Sequence, residues 1–174
     1  MIVERLSPSY VADYRALMLE AYTAHPDAFT SSAAERAALP LAWWEARLNA
    51  EPAPQELVLG AFQAGELVGV VGLSFEQREK VRHKATLFGT YVRPRFRGQG
   101  VGRQLVLAAL EYARTRPGLK VVQLTVTEGN GPAEALYESC GFVRFGVEPL
   151  AVAVGSEYVS KVHMWCRVDA GERP

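Results

Sequence analysis

Six residues, Arg97-Gly98-Gln99-Gly100-Val101-Gly102, limit what this chain can fold into more than any other stretch. The apolar run Leu87-Phe88-Gly89-Thr90-Tyr91-Val92 precedes them, and Arg103-Gln104-Leu105-Val106-Leu107-Ala108-Ala109-Leu110 follows. A strand pattern on one side and a helix pattern on the other require a tight turn between. Glycine supplies the backbone freedom of such a turn and lets an anion approach the main chain with no Cβ in the way. The first amides of the next helix lack partners within it and sit at its positive end. The turn therefore predicts a phosphate or pyrophosphate site, with Arg97 and Arg103 adding charge-assisted hydrogen bonds.

Spacing narrows the ligand. A P-loop needs Gly, four residues and then Gly-Lys-Ser/Thr, and no such run occurs. A dinucleotide fingerprint needs Gly-x-Gly-x-x-Gly and an acid about 20 residues on. Here the glycines fall at 98, 100 and 102, Glu111 is too near, and Lys120 stands where the acid belongs. That spacing disfavours a nucleotide-binding oxidoreductase.

Arg97-x-x-Gly100-x-Gly102 instead resembles the coenzyme A pyrophosphate loop of the GNAT family of N-acetyltransferases, Gln/Arg-x-x-Gly-x-Gly/Ala. Downstream, Asn130-Gly131-Pro132-Ala133-Glu134-Ala135-Leu136-Tyr137-Glu138-Ser139-Cys140-Gly141-Phe142 resembles that family's Asn-x-x-Ala-x-x-Leu-Tyr-x-x-x-Gly-Phe. Asn130, Ala133, Leu136, Tyr137, Gly141 and Phe142 match. The resemblance implies acetyl-CoA as co-substrate, an amine-bearing acceptor and a tendency to form homodimers. It places Arg97, Gly98, Gln99, Gly100, Val101, Gly102 and Arg103 on the pyrophosphate. Tyr91 and Val92 would bond the pantetheine arm through their main chain, and Asn130 would sit near that arm.

Composition sets the frame. With 174 residues, 49% of them hydrophobic and 22% charged, the chain reads as one globular domain over 1–174. Lys plus Arg and Asp plus Glu both number 19. Such a balance predicts no nucleic-acid partner. The N-terminus lacks the apolar stretch of a secretory signal, and no run nears the length that spans a bilayer. The two cysteines, Cys140 and Cys166, form no metal or redox spacing, so a reduced cytoplasmic protein without metal is expected.

Along the chain, Met1–Leu6 reads as a strand, with Ser7-Pro8 opening a helix. Val11, Tyr14, Leu17, Met18, Ala21 and Tyr22 recur at helical spacing. A short helix is expected around Ala33–Ala38 and another after Pro40, with Leu41, Trp44 and Leu48 on one face. Glu56–Gln63 and Leu67–Phe75 form a hairpin about Ala64-Gly65-Glu66. Strands over Ala85–Val92 and Lys120–Thr127 flank a helix that Pro117-Gly118 stops. Asn130 caps the next helix, and Gly141 ends it. Phe142–Phe145 starts a strand, Glu148–Glu157 reads as a loop or weak hairpin, and Tyr158–Val168 closes the sheet. The order β-α-α-β-β-β-α-β-α-β-β is a mixed α/β layer protein. It is also that of the GNAT-like acyl-CoA N-acyltransferase fold, a central, mostly antiparallel sheet flanked by helices.

Acetyl transfer to an amine needs a held thioester, a polarised carbonyl, a deprotonated amine and a stabilised thiolate. The end of the Tyr91-Val92 strand could offer a backbone N–H to the carbonyl. By resemblance Tyr137 assists the thiolate; on its own it also reads as a core tyrosine, sharing a face with Ala133, Leu136 and Cys140. Many relatives place a glutamate six residues before the position of Val92, where this chain has Thr86. Glu76, His83 and His163 are alternative bases, as is a water chain with no single base. An acyl-CoA-binding sensor without turnover is the alternative to an enzyme. Acceptor recognition is expected from Tyr14–Leu48 and Val143–Lys161. Trp43 and Trp44 divide between core and acceptor side, and Cys140 reads as a buried apolar residue.

Overall fold

The structure, a computed structural model, describes residues 1–169. Seven strands make one sheet in the order β1-β2-β3-β4-β5-β7-β6. These are β1 (Ile2–Arg5), β2 (Glu56–Gln63), β3 (Glu66–Phe75), β4 (Lys84–Val92), β5 (Val121–Thr127), β6 (Val143–Val154) and β7 (Glu157–Arg167). Five helices accompany them: α1 (Val11–Ala24), α2 (Ala33–Ala37), α3 (Leu41–Ala46), α4 (Val101–Thr115) and α5 (Gly131–Ser139). Every neighbouring pair is antiparallel except β4 and β5. A parallel pair needs a crossover, and α4 supplies it.

Two apolar clusters sandwich the sheet. On one side Leu105, Val106, Ala109, Leu110 and Ala113 of α4 pack on Leu57, Leu73, Leu87 and Val122, all buried. On the other, Tyr14, Leu17, Met18 and Ala21 of α1 join Trp44, Leu48 and Val70. Alternate residues of β2 and β3 reach opposite faces, so both strands read as continuous apolar runs. The hairpin between them turns on Ala64 and Gly65, both at positive φ.

The sheet's main irregularity creates the site. Val70 pairs with Tyr91, but Gly72 pairs with Phe88, so Gly89 and Thr90 together face Val71. This is a β-bulge, and Gly89 adopts φ +61° within it. The bulge bends β4 away from β5, which it pairs only from Lys84 to Thr86. Beyond Thr86 the two strands diverge and their facing edges are free.

Some expectations need correction. Ser7 makes no side-chain cap, and Pro8 opens a 3₁₀ turn rather than α1. Leu41 is exposed, while Trp44 and Leu48 are buried. The stretch expected as a loop after Glu148 belongs to a long β6–β7 hairpin closing at Gly155. Its register shifts between Glu148 and Val152, with Leu150 at positive φ, and that irregularity masks the strand alternation in the sequence.

Candidate active site

The glycine turn is shaped as its spacing requires. Gly98 and Gly100 sit at φ +73° and +79°, where a side chain is strained. Gly100 is the N-cap of α4, and no side chain caps that end. The first bond of the helix runs from Gln104 N to Gly100 O at 3.0 Å. The amides of Val101, Gly102 and Arg103 therefore precede the ladder and point outward unpaired. No acidic residue occupies the first turn, so the positive helix end is uncompensated. A Cβ on Gly102 would lie 3.2 Å from Leu136 Cδ2, narrowing the passage between α4 and α5. These features fit a pyrophosphate.

A groove of about 490 Å³ leads from this turn into the β4–β5 wedge. Tyr91, Val92, Arg97, Gly98, Gly100, Val101, Gly102, Arg103 and Asn130 all line it. Gln99 does not; its side chain turns back to donate to Arg95 O at 3.1 Å. Arg97 is held over the Tyr91 ring, donates to Val92 O at 2.8 Å and lies 3.1 Å from His25 Nε2. The Tyr91 side chain faces the opposite side of the sheet, donating to Glu20 at 2.9 Å. Arg93 bonds Glu20 at 3.2 Å and Glu66 at 2.5 Å, and Arg95 also reaches Glu66. That network ties the end of β4 to α1 and β3. Asn130 caps α5 by accepting from Ala133 N at 3.3 Å.

A second cavity, of about 500 Å³, opens on the other side of the wedge. Thr90, Asn130, Ala133, Tyr137, Ala28 and Phe29 border both cavities, so the two meet there. Tyr137 is buried, and its ring packs edge-on against Phe142 at 5.9 Å. Burial pushes its phenol above the ordinary tyrosine value, with the nearby Thr90 hydroxyl pulling the other way. Thr90 Oγ1 is buried without a hydrogen bond of standard geometry.

None of the three alternative bases lines either cavity. Glu76 pairs with the exposed Arg78 at 3.4 Å. His83 lies in the loop before β4, its carbonyl accepting from Lys120 and Val121. His163 Nε2 sits 2.8 Å from Glu148 Oε2, with its ring beside Phe145. Among the described residues, the carboxylate lining the second cavity is Glu56. By register Glu56 pairs with Ser74, and Ser74 with Thr86. The three form one row across β2, β3 and β4, so a carboxylate stands in Thr86's row two strands away. Glu56 also holds Arg47 Nε at 3.5 Å.

The second cavity further holds Arg36, Arg47 and Lys161. Lys161 is buried and donates to Asp27 O and Ala28 O at 3.1 Å each and to Thr127 Oγ1 at 2.9 Å. It pins the loop between α1 and α2 to the sheet. Of the region Val143–Lys161, Lys161 itself lines this cavity, while Ala151–Gly155 border a shallow depression beside α2. Trp44 is core, and Trp43 is stacked by arginines. Cys140 is half-buried and, like Cys166, a free thiol. Among the described residues no cluster of His, Cys, Asp or Glu could hold a metal, and no helix is long and apolar enough to cross a membrane. Arg36, Arg47 and Lys161 fall within the stretches expected to shape the acceptor side, though no motif singles them out, and Glu56 lies outside both stretches.

Comparison with known proteins places this architecture. The model of the Acetyltransferase (GNAT) family matches residues 14–142. The N-alpha-acetyltransferase RimI of Mycobacterium tuberculosis is 36% identical over 107 residues, covering 60% of this chain and 64% of that protein. A mycothiol acetyltransferase of Salinispora tropica is 31% identical over 131 residues, covering 75% of this chain and 40% of its own. The matches thus span less than two thirds of either relative's length. A GNAT acetyltransferase of Streptococcus pneumoniae superposes with a TM-score of 0.86 at 26% identity, covering 96% of this chain and 98% of that one. A family model spanning most of the chain, over a bulged β4 that parts from β5 above an uncapped glycine turn, leaves one assignment: the chain belongs to the GNAT family of acetyltransferases.

Proposed function

We propose that this chain, as a single domain over 1–174 (of which 170–174 lie outside the described residues), is an acetyl-CoA-dependent N-acetyltransferase. The observation that carries the proposal is the meeting of two cavities at Thr90 and Tyr137, one of them floored by unpaired amides. Val101, Gly102 and Arg103 amides take the pyrophosphate, with the Arg97 and Arg103 side chains beside them. The free edge of β4 at Tyr91 and Val92 offers main-chain bonds to an extended arm, as a sheet edge does to an added strand. Asn130 borders that arm. Acetyl-CoA supplies an activated acetyl thioester, and the acceptor amine approaches from the second cavity.

Tyr137 is the residue proposed for the leaving thiolate. A phenol titrates near 10 and a thiol near 8.5, and burial widens that gap. Tyr137 is therefore fully protonated at neutral pH and acts by hydrogen-bond donation to developing negative charge, before any full proton transfer. The amine proton leaves by water toward Glu56, the cavity's carboxylate.

The rival reading is a non-catalytic acyl-CoA sensor, favoured by Thr86 in place of a carboxylate and by the distance of Glu76, His83 and His163 from the cavities. Calorimetric titration with acetyl-CoA, followed by free-thiol release with an amine panel, tests both readings. Binding with turnover supports the enzyme, binding without turnover the sensor, and no binding by folded protein overturns both. Free thiols at Cys140 and Cys166 support a reducing, cytoplasmic setting. A homodimer belongs to the same proposal, supported by exposed Phe145, Val147, Leu150 and Tyr158 on the β6–β7 hairpin; sedimentation checks it.

A further inference from the structure

The acceptor-side cavity carries an excess of positive charge. Arg36, Arg47 and Lys161 line it against the carboxylate of Glu56. Lys161 directs its three N–H donors at two carbonyls and a hydroxyl. Arg47 is shared with Glu56 at 3.5 Å. Arg36 has no carboxylate partner among the described residues, and its Nε is buried without an acceptor. The adjacent Glu35 forms no salt bridge with it, its carboxylate instead closing a capping box with Ser32 N at 2.8 Å.

Both guanidiniums are held in place. The Trp43 ring stacks against each, 4.5 Å from Arg36 Cζ and 4.4 Å from Arg47 Cζ. Tyr22 flanks Arg36 at 5.8 Å, and Phe88 flanks Arg47 at 5.0 Å. Stacked guanidiniums lose little freedom on binding and present a planar fork that suits a carboxylate. A polyamine entering here would meet like charge, which is discrimination by repulsion.

We infer that the acceptor is a small amine that also carries a carboxylate. Arg36 binds the carboxylate with Arg47 beside it, and the amine points toward the junction at Thr90 and Tyr137. Tyr22, Phe29 and Phe88 line the same cavity and suit an apolar substituent. The inference rests on the acetyltransferase reading above and adds the acceptor's class to it.

The test compares phenylalanine, phenylalaninamide, spermidine and phosphoethanolamine as acceptors. The expected result is a kcat/KM for the acid at least tenfold above each of the others. Arg36→Gln should collapse the acid-to-amide preference to within about twofold, and Arg36→Lys, which keeps charge but loses the fork, should fall between. Acetyl-CoA binding serves as the folding control for both variants. An amide, polyamine or phosphate-bearing amine used as well as the acid overturns the inference, as does a preference that survives Arg36→Gln. A second arm does not depend on turnover. N-acetylphenylalanine and N-acetylphenylalaninamide are titrated against the CoA-bound protein by NMR. Tighter binding of the acid, lost in Arg36→Gln, upholds carboxylate recognition even where acetyl transfer fails; equal binding overturns it while leaving the acetyltransferase reading standing.

Discussion

The two cavities that meet at Tyr137 are built from different materials. The cofactor-side groove centres on the end of β4 and the glycine turn, between Thr90 and Arg103, with the α1–α2 loop and α5 as its walls. The acceptor side is mostly side chains from α1, the α1–α2 loop, α2, the end of α3, five strands and α5. Recognition by main chain puts its requirements on glycine and on turn geometry. Side chains recognise what distinguishes one acceptor from another. The two sides should accordingly respond differently to mutation.

The sharpest break comes from Gly100→Asp with Gly102→Asp. These put negative charge at the uncapped end of α4 and a side chain into the passage beside Leu136. Losing two charge-assisted bonds to a phosphate costs about 4 kcal/mol in all, or roughly a thousandfold in affinity. Calorimetry with acetyl-CoA should show that loss in a protein that still unfolds cooperatively, at a melting temperature lowered by the strain of a side chain at Gly100 and the crowding of Leu136. Retained binding would mean that the glycine turn does not hold the ligand.

Tyr137→Phe tests the junction. It keeps the ring against Phe142 and removes the hydroxyl, so acetyl-CoA affinity should hold within about twofold. Removing one donor to developing negative charge lowers kcat by about a hundredfold. An unchanged kcat removes Tyr137 from the chemistry and leaves it as the core tyrosine its apolar helix face also allows.

The same contrast explains what was legible in the sequence. Arg97, Gly98, Gly100, Gly102 and Asn130 stand out in the sequence and line one groove, because the turn and cap they form depend on local backbone shape, which a short motif records. The strand and helix order was readable for the same reason, up to the β6 irregularity after Glu148. On the acceptor side the sequence offered the stretches Tyr14–Leu48 and Val143–Lys161 but not the individual residues. Glu56 joins Thr86's row only through two strand pairings, and Lys161 meets Asp27 across 134 positions. Such contacts depend on sheet register, which no local spacing encodes. Glu76, His83 and His163 looked suitable by chemistry alone, but Glu76 and His83 lie in the connection between β3 and β4, His163 is engaged by Glu148, and none of them lines either cavity.

Lys161→Met gives a smaller, shared effect. Lys161 holds the Asp27 and Ala28 carbonyls, and Ala28 and Phe29 border both cavities. Leaving those carbonyls underpaired costs about 2 kcal/mol of stability. The Michaelis constants for acetyl-CoA and for the amine should both rise, by about tenfold or less. A rise in one alone would show that the loop serves one side. Burial also lowers the Lys161 pKa below the ordinary lysine value of 10.5. The cost of holding the charge is thus full at neutral pH and is relieved as pH climbs from the lowered value toward 10.5. Parent stability, followed by urea unfolding, should rise across that alkaline window relative to the Met variant.

Asp169 provides the smallest effect and the control on the whole division. It lies just beyond β7, accepting from Arg167 Nε at 2.7 Å and from Lys120 Nζ at 3.1 Å, and it lines neither cavity. Those two cations lower its carboxyl from 3.8 to about 2. Above 3.8 both folded and unfolded chains are ionised, and the full stabilisation is present. As pH falls from 3.8 toward about 2, the unfolded chain takes up the proton first and the stabilisation drains away. Asp169→Asn should therefore flatten this part of the acid unfolding profile, and only slightly, because the pair is solvent-screened. Acetyl-CoA affinity and turnover at neutral pH should stay within experimental scatter. If they do not, the ends of β5 and β7 transmit strain into the wedge. The two cavities would then have to be treated as one mechanical unit rather than as a main-chain site and a side-chain site that share a border at Thr90 and Tyr137.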